Sequence, residues 1–61
     1  MLDYFKTILK KVSFDTKLFE KELRKAIKSL IDSEINDLRK WCYKNFGNVH
    51  GPVLERCFVT A

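Results

Sequence analysis

The chain has 61 residues, of which 46% are hydrophobic and 33% charged, with two Gly, one Pro and a formal net charge of +4. A single domain over 1–61 is the most this length accommodates, and the mix excludes a disordered tract, a collagen-like repeat and a multidomain enzyme. No apolar run approaches the ~20 residues of a membrane span, and the Met1-Leu2-Asp3 start has no signal-peptide character, so a soluble cytoplasmic protein with no membrane partner is expected.

A chain this short buries only about 60% of the surface its unfolded form exposes. Aromatic residues make up 13%, and large rings cover much area with few rotors, so a packed core is feasible without a staple. The excess base is one-sided. Residues 1–28 carry eight basic and four acidic side chains, and residues 29–61 carry four of each. Cys42 and Cys57 make no disulfide framework, so free thiols are expected.

Apolar spacing is helical almost throughout, and the expected fold is all-α, a small bundle of three main helices and a short C-terminal one. In the first helix, at about 3–12, Leu2, Phe5, Ile8, Leu9 and Val12 recur at three- and four-residue steps. Lys6, Lys10 and Lys11 fall outside that stripe. The phase changes at Ser13-Phe14-Asp15. Asp15 is an N-cap candidate for the next helix, with Phe14 and Phe19 in register for a hydrophobic staple.

The second helix is placed at about 16–31. Its wide stripe of Leu18, Phe19, Leu23, Ala26, Ile27, Leu30 and Ile31 suits a helix with more than one neighbour. Glu20→Arg24 and Glu22→Lys25 are favourable same-face pairs. The apolar pattern could run on from Ile31 as one long helix. Asp32, Glu34 and Asp37, however, favour a helix start, and Asp32-Ser33 suits a cap, so the break is put near 31–33.

The third helix, about 33–46, is built on Ile35, Leu38, Cys42 and Phe46, with Gly47 as its left-handed stop. Asn48-Val49-His50-Gly51 reads as a loop. Pro52 suits the first turn of a last helix at about 52–59, with an extended tail from Val53 as the other reading. The expected core is Phe5, Ile8, Leu9, Val12, Phe14, Phe19, Leu23, Ile27, Leu30, Ile35, Leu38, Cys42, Phe46, Leu54 and Phe58.

Chemistry-bearing residues are few. Cys42, His50 and Cys57 are the soft metal-ligand candidates, but Cys-x7-His-x6-Cys lacks the tight ligand pair of structural zinc sites, so no metal is expected. Cys42 on the apolar line behaves as a small hydrophobe, without the electropositive setting a thiolate nucleophile needs. His50 reads as a surface or half-buried residue capping a carbonyl. Without a phosphate loop, paired carboxylates or room for a cleft, no enzyme activity, cofactor or small-molecule substrate is expected.

Two binding readings remain. Tyr4, Trp41, Tyr43 and Val53, at the edges of the stripes, are candidate contacts for a protein partner or a second copy. Lys17, Lys21, Arg24 and Lys28 form a basic ridge on the second helix, a candidate contact for nucleic-acid phosphate. Against the latter, the acidic start of the third helix would be repelled by DNA if it served as a recognition helix.

Overall fold

A computed structural model describes residues 1–59. These residues form three helices: α1 (Leu2–Lys11), α2 (Thr16–Ser29) and α3 (Asp32–Val59). No strand occurs among the described residues. Each helix packs on the other two, within extents of 26 × 22 × 19 Å. The bundle is the all-α architecture that the spacing implies. Among the described residues no helix is long and apolar enough to cross a membrane.

The α1 stripe folds as read. Phe5 and Leu9 are buried, with Leu2 and Val12 packed beside them. Ile8 is half-buried at the edge of a groove between α1 and α2. The α1–α2 turn is tied by backbone and side chain together. Asp15 N–H donates to Val12 O at 3.0 Å. The Asp15 carboxylate accepts from the backbone N–H of Lys17 at 2.9 Å and of Leu18 at 3.2 Å. Asp15 is thus the N-cap, satisfying two amides that the helix cannot.

The staple does not form. Phe14 is 82% exposed, while Phe19 is fully buried. The tight turn projects Phe14 outward, so it leaves the expected core.

α2 stops at Ser29, two residues short of the expected end. Leu30 is extended (φ −93°, ψ 152°) and still buried, whereas Ile31 turns out to solvent. Ile31 N–H donates to the Glu34 carboxylate at 3.3 Å, the acidic half of a capping box, so the acids do open α3. Helices 2 and 3 are therefore separate.

The larger correction concerns Gly47 and Pro52. Among the described residues none has positive φ, so Gly47 is not a left-handed stop, and α3 reaches Val59 across a kink at one non-helical residue, His50 (φ −119°, ψ 23°), where two helical stretches meet. The expected last helix is the arm after that kink, which continues to Val59 as part of α3 and not as a separate element among the described residues. Pro52 removes one backbone donor and crowds the carbonyl of Asn48 one turn back, which bends a helix on its N-terminal side. The bend turns Val53, Leu54 and Cys57 into the core beside Leu38 and Cys42. Val53 is only 4% exposed. It is core, not a contact residue, and the stretch from 53 is helical rather than extended.

Candidate functional site

The kink in α3 is locked onto the α1–α2 turn through His50. This side chain is 3% exposed, and its Nε2–H donates to Ser13 O at 2.7 Å. A carbonyl can only accept, so the hydrogen resides on Nε2. Nδ1 is buried with no hydrogen-bond partner among the described residues. The ring stacks on Phe19 at 4.3 Å between centroids, and Phe46 meets Phe19 edge-on at 5.1 Å. The sequence anticipated a carbonyl cap. It did not anticipate that this cap would be buried, or that it would join residues 37 positions apart.

That bond defines one end of the bundle. Phe14, Leu18 and Val49 are exposed there, Val49 at 71%. Thr16 and Lys17 open α2 from the same end, and Lys10 and Lys11 close α1 at it. Its carboxylate, Asp15, is engaged by the helix amides. The end thus exposes three apolar side chains with a basic fringe, on a turn tied by the Asp15 cap and the His50–Ser13 bond.

The other contact candidates are distributed elsewhere. Tyr4 is exposed and its ring meets Phe5 edge-on at 5.3 Å. Trp41 is half-buried against Phe46, with Lys6 and Lys10 ammonium groups 5.6 and 6.0 Å from its ring centroid. Cation–π attraction and lysine stems cover much of that indole. Tyr43 is partly open at 41%. Phe14 and Val49 are not among these candidates. Sequence reasoning missed those two because it assigned Phe14 to the core and Val49 to a featureless loop.

Cys42 and Cys57 are free and buried. Burial pushes the Cys42 thiol up to about 12, with Cys57 adding to the rise and Lys6 opposing it. Burial also raises Cys57, opposed by Arg24. Among the described residues no three His, Cys, Asp or Glu side chains stand together to hold a metal ion, and Nε2 of His50 is already committed to Ser13. A thiol held protonated in a core is a poor nucleophile. In native protein at neutral pH, Cys42 is expected to resist iodoacetamide and to react only on unfolding in denaturant. Peptide mapping by mass spectrometry reads this directly, and stoichiometric labelling of Cys42 in native protein would contradict it.

Along the α2 ridge, Lys17, Lys21 and Lys28 are exposed, with no carboxylate within ion-pair distance among the described residues. Arg24 is different. It forms a 2.8 Å pair with Glu20, whose other oxygen accepts from Arg56 of α3 at 3.0 Å. Glu22 and Lys25 are 3.4 Å apart. Both same-face pairs expected on α2 are present. The Arg56 contact additionally ties the last turns of α3 to α2.

The hydrogen bond from Arg24, then that from Arg56, holds the Glu20 carboxyl below its ordinary 4.5 against some desolvation. A group depressed on folding adds stability above its unfolded value and loses it as pH falls through the folded value. Solvent screening keeps the effect small. Urea midpoints of wild type and Glu20→Gln are expected to differ at neutral pH and to converge in acid. A gap that widened in acid would refute the assignment.

The groove between α1 and α2 has a volume of about 340 Å³ and is lined by Tyr4, Phe5, Ile8, Glu22, Lys25, Lys28 and Ser29. Its one carboxylate is paired with Lys25. Nothing in it forms a nucleophile–base arrangement. Comparison with protein-family models, curated proteins and solved structures finds no match for this chain.

Proposed function

We propose that this domain is a non-enzymatic protein-interaction module whose contact surface is the end of the bundle bearing Phe14, Leu18 and Val49. The observation that carries the reading is Phe14, a full aromatic side chain 82% exposed on a turn fixed by the Asp15 cap and the His50–Ser13 bond. An exposed phenyl ring gains about 2 kcal/mol or more when buried. A turn tied at two points presents that ring with little backbone ordering cost, which is the character of a contact anchor. Of the contact candidates read from sequence, Tyr4 and Tyr43 remain open and serve as secondary positions.

Nucleic-acid contact through the α2 ridge is the weaker reading. Glu20 already engages the guanidinium of Arg24, and Arg is the residue that best grips phosphate.

A benzophenone-bearing phenylalanine analogue at position 14 preserves the aromatic character and carries its own test. Irradiation in the cells that make the protein should give a protein adduct from position 14, and none from the same analogue at the exposed Lys40 position on α3. The mass of the adduct identifies its occupant. Equal labelling from both positions, or none from either, would sink the reading.

A further inference from the structure

The two ends of the bundle are chemically unlike, and α2 separates them by about 20 Å, at 1.5 Å per residue over its length. The turn end combines Phe14, Leu18 and Val49 with Lys10, Lys11 and Lys17, and its carboxylate, Asp15, is occupied in capping. The far end is where α2 passes into α3. Ile31 stands there 66% exposed, beside the exposed Asp32 and, on the first turn of α1, Asp3 and Tyr4. Lys28 and Lys25, the latter paired with Glu22, are the cations at that end, and Glu34 adds a carboxylate on the first turn of α3. One pole is thus apolar with a basic fringe and the other apolar with an acidic fringe.

Resting on the interaction reading above, we infer that the occupant of the Phe14 end is the Ile31 end of a second copy of this chain, joined head to tail. Charge decides between the arrangements. A two-fold contact of the Phe14 end with itself would set Lys11 and Lys17 against their own copies. Pairing unlike poles sets Lys11 and Lys17 against Asp32 and Asp3 and buries Phe14 against Ile31. Such a contact leaves both outer poles free to repeat, so assembly continues past the dimer into a ring or a filament. Salt weakens it by screening the fringe charges.

Phe14→Asp disables the turn end alone, and Ile31→Lys disables the far end alone. Both positions are exposed, so circular dichroism should show unchanged helicity. Sedimentation across a wide concentration range is the readout. Wild type is expected to exceed twice the monomer mass, less so in high salt, and each variant alone to remain monomeric. An equimolar mixture of the two variants should form a dimer and stop there, because one variant contributes each intact pole and the outer poles are dead.

A wild-type dimer that Phe14→Asp abolishes and Ile31→Lys leaves intact would be a two-fold contact. That outcome overturns the head-to-tail inference and keeps the interaction reading. A strictly monomeric wild type also overturns the inference, and the adduct from position 14 then decides the interaction reading independently.

Discussion

Phe19→Ala is expected to remove between about a third and all of the protein's stability, while Phe14→Ala leaves it nearly unchanged. Both substitutions remove a phenyl ring within five residues of each other, and burial separates their outcomes. Phe19 is fully buried on α2, stacked on His50 and met edge-on by Phe46. Truncating such a ring costs about 3–5 kcal/mol, the transfer of the ring plus the cavity it leaves. At about 0.05–0.15 kcal/mol per residue, a chain of this size holds ~3–9 kcal/mol in total. The loss is therefore about a third of the stability at the least and all of it at the most. Phe14 is 82% exposed, and surface changes of that kind stay within about 0.5 kcal/mol. Urea melts followed by helical ellipticity compare the two. A Phe19→Ala midpoint near that of wild type would mean that this ring is not at the centre of the core. Phe14→Ala is also the variant in which contact can be lost while the fold is kept.

The first two helices were legible because their signals are local. A three-to-four periodicity over Leu2–Val12, a capping Asp15 and same-face charge pairs on α2 are each set within a turn or two of chain. The break before α3 is local as well, since Asp32, Ser33 and Glu34 need nothing distant to favour a helix start. Phe14 is the opposite case. Its register with Phe19 fits a staple, but the direction of a turn side chain depends on what holds the turn. Here that is His50, supplied 37 residues later. No local pattern contains that information.

The far half of α3 was misread for a related reason. Gly47 and Pro52 are strong local signals for a stop and a start, and the structure puts the interruption between them, at His50. The apolar line nevertheless continues Leu38, Cys42, Phe46, His50, Val53, Leu54, Cys57, if histidine is counted as a buried ring. Treating His50 as polar cut that line at its middle and hid the continuation. Val53 was assigned to the surface by the same error. Burial of the second arm outweighs the stop signal at 47, so the helix carries on through it and kinks at His50. The exposed end that carries the proposed contact is a by-product of that bend, because it sets Val49 beside the turn bearing Phe14.

His50 consequently permits a graded test of what fixes that end. Three replacements separate its contributions. His50→Phe keeps a ring over Phe19 and loses the donor to Ser13 O. Loss of a part-buried hydrogen bond with its acceptor left unpaired costs about 1–3 kcal/mol, lessened because the partnerless Nδ1 goes too. His50→Gln retains an N–H donor near the position of Nε2 and loses the stack, worth about 0.5–1.5 kcal/mol beyond its buried area. His50→Ala loses both and leaves a cavity, so it should fall furthest, by about 2–4 kcal/mol. Both single-loss variants should melt between wild type and His50→Ala. Amide exchange at Asp15, whose N–H closes the turn onto Val12 O, separates the effects further. It should accelerate in His50→Phe and His50→Ala, where the turn has lost its tether, and stay close to wild type in His50→Gln. If His50→Phe matched wild type in both melting and exchange, the Ser13 bond would carry no weight, and the rigidity of the turn beneath Phe14 would rest on the Asp15 cap alone.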